Sequence, residues 1–304
     1  MRPLASYGCL AASMSIVGAY VALTKPLVAV FPLFLLAWLR FGIGGLAMLR
    51  WLRKPAGEPQ LTMRVRGLIF LESFLGNFLF TIFMISGVKL TGAAAAGVIL
   101  AFIPAVVALM SRIFLKEAIS LRVWGAVICG VAGIGLLSLG GSVPADDAGA
   151  SSLPHAWLGN MLLFGAVCCE ASYAVIGKKL TAVLSPKRIS AVINLWGFVL
   201  TMPAGIYAAW RFEFSSVEAG IWLLLIAYAL AASMWTVWLW MTGLRGVPAS
   251  QAGVFTVMLP VTAAAVGVLV LGEVLSGLQW LAFVFALAGL ILATVPSASI
   301  QAKA

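Results

Sequence analysis

The chain has 304 residues, of which 63% are hydrophobic and 9% are charged, with a formal net charge of +10. Soluble domains carry about a quarter charged residues, so this chain is too poor in polar groups to cover a water-facing surface. The surplus of bases collects in loops between apolar stretches, as topology demands of membrane proteins, and nucleic acid is excluded as a required partner.

Apolar stretches near 20 residues recur from end to end, each long enough to cross a bilayer as a helix. They predict ten spans, at about 5–24, 31–50, 66–88, 91–114, 120–140, 156–178, 188–210, 219–243, 247–271 and 276–296. Breakers mark the junctions at Lys25-Pro26, Lys54-Pro55, Ser185-Pro186 and Gly246-Val247-Pro248. Strands of a membrane barrel would be about 10 residues of alternating polarity. The expected fold is therefore an all-α polytopic membrane protein of ten transmembrane helices. The first span is long for a signal-peptide core, and its Tyr20 recurs in the second half, so it is kept as a helix.

Polar groups inside spans mark where function belongs, because each costs energy in lipid. Span 1 carries Ser6, Ser13 and Tyr20 at heptad spacing, and span 2 carries Arg40. For Arg40, snorkelling or pairing with a carboxylate is preferred over meeting a substrate carboxylate. Span 3 holds Glu72, expected near its mouth, then the stripe Ser73, Asn77, Thr81 at i, i+4, i+8. Such stripes face a cavity or bond neighbouring helices, and both uses stay open. Phe78, Phe80 and Phe102 are candidates for an apolar wall, while Pro104 breaks span 4. Span 6 contributes Glu170 and, three residues on, Tyr173 on the same face. In span 8, Trp238 and Trp240 read as interface residues, whereas Trp235 lies nearer the middle and suits stacking on a flat ligand. Span 9 adds Gln251 and Thr256 before Pro260. Pro104 and Pro260 are candidate hinges or static kinks. Glu72 and Glu170 are candidates for proton coupling or for holding a substrate ammonium; packing carboxylates are the alternative.

The loops give the orientation. With the N-terminus inside, the inner loops hold Arg50, Arg53, Lys54, Arg64, Arg66, Arg112, Lys116, Arg122, Lys178, Lys179, Lys187, Arg188 and Arg245, and the outer loops only Lys25, Lys89 and Arg211. Both termini are thereby predicted to be cytoplasmic.

A repeat organises the whole. Sliding Gly87–Leu136 by 156 positions lays it on Gly243–Leu292 without a gap, with about 15 of 50 positions identical, among them Pro104/Pro260, Glu117/Glu273, Ser120/Ser276 and Trp124/Trp280. A shorter match sets Tyr20, Lys25 and Leu27 against Tyr173, Lys178 and Leu180. The chain divides into 1–140 (spans 1–5), a linker at 141–155, 156–296 (spans 6–10) and a tail at 297–304. Five crossings are odd, so the copies run antiparallel about a pseudo-two-fold axis in the membrane plane. Inverted repeats of this kind characterise secondary transporters, with the substrate near the midplane at the repeat interface. The Glu-Ser-Trp stretch itself reads as a structural corner, with Ser120 capping the next helix.

The two-fold unit, the Glu ending its fourth span, the Trp after the serine and the Ala-Gly of the fifth span resemble the EamA repeats of the drug/metabolite transporter superfamily. Size and aromatic-rich spans are most similar to the YddG-type exporters of aromatic amino acids. The resemblance implies a ten-helix exporter of the bacterial inner membrane, with a central cavity lined mainly by spans 1, 3, 4, 6, 8 and 9.

Enzyme signatures are missing. His155 is the single histidine, and Cys9, Cys129, Cys168 and Cys169 lie in apolar spans without CxxC spacing, so no metal, cofactor or catalytic triad is expected. No phosphate loop follows a strand, so ATP is not the expected energy source. The expected function is export of amino acids, aromatic and other apolar ones first, and of related small metabolites across the inner membrane, by alternating access through a central cavity. The competing readings are a multidrug exporter of quaternary cations and an intramembrane enzyme. Small-molecule substrate and lipid are the expected partners, and one chain suffices as a monomer. The substrate-site expectation is Tyr20, Asn77, Phe78, Phe102, Glu170, Tyr173, Trp235, Gln251 and Thr256.

Overall fold

The computed structural model describes residues 3–55, 58, 60–91, 96, 99–140, 156–259, 261–262, 265–266 and 277–294. The linker at 141–155, the tail at 297–304, Pro260, Glu273 and Ser276 lie outside the described residues.

Helices form because long apolar segments satisfy their own backbone groups, which lipid would leave unpaired. Helix α1 is Pro3–Val30 and α2 is Leu33–Ala47, followed by a 3₁₀ turn at Leu49–Leu52. Helix α3 joins Met63–Ser73, a wide π-turn at Phe74–Leu79, and Phe80–Thr91. Helix α4 is Ile103–Met110 with a π-turn at Ser111–Leu115, and α5 is Leu121–Gly140. Helices α6 and α7 are Ala156–Thr181 and Pro186–Trp210. Helix α8 joins Ala219–Ala229, a π-turn at Leu230–Trp235, and Thr236–Gly246. Helix α9 is Ala249–Val254 with Phe255–Val257, and α10 is Gly277–Thr294. Among the described residues there is no strand. Among the described residues, four stretches are long and apolar enough to cross a membrane: Met63–Val88, Trp157–Thr181, Pro186–Trp210 and Ala219–Gly246.

One junction differs from expectation. Lys25-Pro26 does not end α1, which runs on to Val30 with Pro26 inside it; the break falls at Phe31-Pro32 instead. Proline removes one hydrogen bond and favours a kink, but a single such loss is outweighed where the flanking turns pack. Leu27 and Phe31 are both fully buried, against α2 and α8.

Helix pairs that join the two halves include α5 with α10, α3 with α6, α2 with α7, α1 with α8 and α4 with α9. Exchanging the repeats maps this set onto itself: α1–α8 becomes α6–α3, and the other three pairs are their own images. Side chains obey the same exchange. A methyl placed on Gly243 of α8 would lie 2.7 Å from the Ser6 carbonyl oxygen and 2.6 Å from Leu10 Cγ. On Gly87 of α3 it would lie 3.1 Å from the Gly159 carbonyl oxygen and 2.6 Å from Leu163 Cγ. Gly133 against the Ala282 carbonyl oxygen (3.1 Å) is likewise matched by Gly289 against that of Ala126 (3.0 Å). An operation that sends the first half to the second and back again is a two-fold, and close helix approach at small residues is how membrane helices pack.

The basic end of the bundle is closely packed. One buried cluster there gathers Leu10, Ile69, Val107, Leu180, Leu244 and Ala249 from six helices. Polar fasteners reinforce it. The left-handed Lys116 (φ 55°) ends α4, and the Glu117 carboxylate then accepts from the backbone N–H of Ala249 (2.8 Å) and Ser250 (3.0 Å) and from the Ser250 hydroxyl (2.8 Å). Glu117 thus caps the N-terminus of α9, where a negative charge is favoured. Lys178 of α6 donates to the carbonyls of Leu244 (2.9 Å) and Val247 (2.6 Å), satisfying the C-terminal end of α8. Ser120 accepts from the Val123 N–H at 3.4 Å, the local cap expected at the start of α5. At the start of α7, Glu58 pairs with Arg188 and accepts from the Ser185 N–H.

Candidate functional site

The π-turns at Phe74–Leu79 and Leu230–Trp235 coincide when the repeats are superposed by the 156-residue step. Such turns are rare within α-helices and mark functional sites more often than chance. Here both face one central cavity of about 560 Å³, contributing Gly76 and Asn77 from α3 and Ala232 and Ser233 from α8. The wide turn in α3 gives Tyr173 its place, because a methyl on Gly76 would overlap the Tyr173 ring.

Most of the wall is apolar or aromatic, with Met14, Phe41, Phe80, Met84, Ile103 and Trp240 prominent. Two charged side chains line it, Arg40 from α2 and Glu170 from α6. Neither forms an ion pair with another described residue. The Arg40 guanidinium lies 4.3 Å above the Phe41 ring, and its buried Nε has no hydrogen-bond acceptor. The cavity therefore presents one guanidinium and one carboxyl group in a mainly apolar setting, where polar interactions are strengthened.

The polar residues of the wall are bonded so that their orientation is fixed. Ser73 donates to the Ile193 carbonyl (2.8 Å), Asn77 donates to the Ser73 hydroxyl (3.4 Å) and Thr81 donates to the Asn77 carbonyl (2.6 Å). The α3 stripe is thus both glue and lining. Asn194 of α7 also lines the cavity and donates to the Phe41 carbonyl at 2.8 Å, tying α7 to α2 beside Arg40. On α1, Ser13 donates to the Thr236 carbonyl (2.8 Å), and Tyr20 meets Tyr228 edge-on at 5.4 Å.

Of the residues expected from sequence, Tyr20, Asn77, Glu170, Tyr173 and Thr256 line this cavity together. Four do not. The Phe78 ring packs on Phe74 at 5.9 Å and Phe80 takes the wall position, because the π-turn shifts the helix phase. Phe102 stands at the turn before α4 and is 49% exposed, leaving Ile103 to face inward. Trp235 closes the α8 π-turn, is 46% exposed and packs on Trp238, while Trp240, read as an interface residue, is 2% exposed and lines the cavity. Gln251 accepts from the Tyr7 hydroxyl (2.9 Å), fastening α9 to α1 away from the cavity. Arg40 departs from expectation in the other direction: it neither snorkels nor pairs. The unpaired α2 charge was the signal available for it, together with the absence of any carboxylate in span 2.

Glu72 is not at a mouth. It is fully enclosed between α3 and α6, and neither carboxyl oxygen has a partner. Gly177 makes the room, since a methyl there would lie 2.9 Å from Glu72 Oε1. Pro104 occupies the first turn of α4, where a missing N–H costs nothing, so it starts that helix rather than bending its middle. Among the described residues no His, Cys, Asp and Glu group has the makings of a metal site.

The EamA-like transporter family model matches the chain twice, at residues 5–139 and 157–295. The chain belongs to that family. Relatives include the "Uncharacterized transporter YetK" of Bacillus subtilis (strain 168), 32% identical over 90% of this chain and 81% of the relative. The "Uncharacterized transporter YwfM" of the same organism is 29% identical over 68% of this chain and 66% of its own length. A crystal structure of another protein superposes over all of both chains with a TM-score of 0.77 at 19% identity, which shows a shared fold. This EamA-like protein is accordingly a transporter and a multi-pass membrane protein, and its family and relatives speak for transport rather than catalysis.

Proposed function

We propose that this transporter exports small zwitterions, amino acids with aromatic or other apolar side chains first, across the bacterial inner membrane by alternating access. The observation that carries the reading is the presence of Arg40 and Glu170 together in one mainly apolar cavity. Glu170 takes the substrate ammonium and Arg40 its carboxylate, each by a charge-assisted bond. Tyr173, Tyr20, Phe80 and Trp240 surround the side chain. A quaternary cation would meet Glu170 favourably but would also bring a like charge toward Arg40, so the zwitterion fits better than the multidrug alternative. This is also why the YddG-type exporters remain the preferred comparison.

In this reading ten helices cross the bilayer as two inverted five-helix repeats, both termini are cytoplasmic, and the closely packed basic end faces the cytoplasm. Exchange-related helix pairs support it, because rocking one half against the other opens the cavity to either side. Glu170, backed by the enclosed Glu72, is the candidate for coupling to protons. Pro260 stays the candidate hinge of span 9, while Pro104 starts α4, and a single chain holds a complete cavity.

Proteoliposome counterflow tests the proposal. Labelled phenylalanine, tryptophan or methionine should exchange, and tetraethylammonium should not. Arg40→Gln and Glu170→Gln should each weaken zwitterion binding about 10- to 100-fold, the loss of one charge-assisted bond. Flux of the quaternary amine with none of the amino acids would overturn the reading.

A further inference from the structure

A second cavity, of about 390 Å³, lies in the groove between α2 and α7. It is separated from the central one by Phe41, which lines both. Its walls are apolar throughout, with Ile43 and Leu46 on α2, Leu49 and Leu52 on the following turn, and Leu195 and Phe198 on α7. Gly42 and Gly45 stand where larger residues would fill it. The groove opens outward: Leu46 is 70% exposed and Leu49 56%. Water has no polar partners along such a surface, so at hydrocarbon depth the groove must hold an alkyl chain.

The turn that closes the groove, Leu49–Leu52, belongs to the basic end of the bundle. Arg50 lies within it and Arg53 and Lys54 follow it, all three exposed. Lys187, at the start of α7, sets its ammonium 5.7 Å above the Trp51 ring. The nearby Glu58 is already engaged by Arg188, so it does not neutralise these four bases. Trp51 has the amphipathic character favoured at headgroup depth.

We propose that this groove is a binding site for an anionic phospholipid, one acyl chain lying between α2 and α7 and the headgroup phosphate on Arg50, Arg53 and Lys187. Clustered bases at the inner leaflet attract anionic headgroups, and the adjoining groove converts that attraction into a defined seat. The occupant braces Phe41 from the lipid side, and Phe41 in turn carries the Arg40 guanidinium on the cavity side. The inference rests on the membrane-spanning reading and not on the identity of the transported substrate.

The purified, delipidated full-length transporter tests it by thermal unfolding and native mass spectrometry. Dioleoylphosphatidylglycerol should raise the melting temperature by about 3–5 °C, as expected for a ligand well above its dissociation constant. Dioleoylphosphatidylcholine and inorganic phosphate should raise it less than half as far. The surface double variant Arg53→Gln/Lys187→Gln should abolish the preference for phosphatidylglycerol. Ala191→Leu, which fills the groove from α7, should lower the number of retained lipids while leaving helicity intact. Equal effects of the two lipids, or a double variant that keeps the preference, would overturn the proposal. Amino-acid counterflow is a separate readout, so loss of the zwitterion assignment leaves this test standing.

Discussion

Trp235 and Trp240 differ by five positions, and in a regular helix the choice between them as a cavity residue depends on where each faces. The π-turn Leu230–Trp235 widens α8 and shifts everything beyond it, so Trp240 is buried in the cavity wall and Trp235 turned out. The same shift separates Phe80 from Phe78 in α3. Residues whose facing rests on one short helical interval were legible: Glu170 and Tyr173 share a face within a single turn, and Asn77 lies in an i, i+4 stripe. Glycine offers a clean test at this scale. Gly243→Ala should cost about 1–3 kcal/mol, because the new methyl meets the Ser6 backbone oxygen, which cannot move aside. Gly135→Ala, with open space around it, should be neutral or stabilising by up to about 1 kcal/mol. Thermal unfolding in detergent, followed by tryptophan fluorescence, separates the two; equal melting temperatures would contradict the packing argument.

Some helix ends are served locally and others by a distant element. The Glu-Ser-Trp corner reads from sequence as a local turn, and Ser120 does cap α5. Glu117, however, serves α9, 132 residues away, through three accepted hydrogen bonds. No local pattern announces such a cap, since the donors are ordinary backbone groups. Glu117→Ala should destabilise the bundle by about 1–2 kcal/mol, in the range of other helix caps, whereas Ser120→Ala should cost about 0.5–1 kcal/mol. Hydrogen exchange offers the sharper measurement: the amides of Ala249 and Ser250 should exchange faster in Glu117→Ala, and unchanged protection would show that the carboxylate is not their cap.

At the scale of the whole molecule, neither half keeps its packing alone. Helix α1 lies on α8, α6 on α3, and the α2–α7, α4–α9 and α5–α10 pairs also cross between halves. In the proposed topology of five crossings per half, the exchange of the two repeats requires opposite orientations in the bilayer. In a background with Cys9, Cys129, Cys168 and Cys169 replaced by alanine, Ser215→Cys should be labelled by an impermeant maleimide in intact cells. Lys187→Cys should be labelled only after permeabilisation, since α7 lies between them. Labelling of both from one side would refute the inverted topology.

Hydropathy, loop charge and the 156-residue repeat are properties of segments, and they survive averaging over many residues. The all-helical class and the transporter character were therefore readable without coordinates. Which side chains share the cavity is a matter of helix phase, and phase turns on single residues such as those in the π-turns of α3 and α8. Arg40 shows the difference most clearly. Its charge in an apolar span was plain from the start, but whether it snorkels, pairs or faces the cavity depends on what α7 and α8 bring beside it. Contacts between residues more than 100 positions apart carry no local imprint, because only folding makes them neighbours.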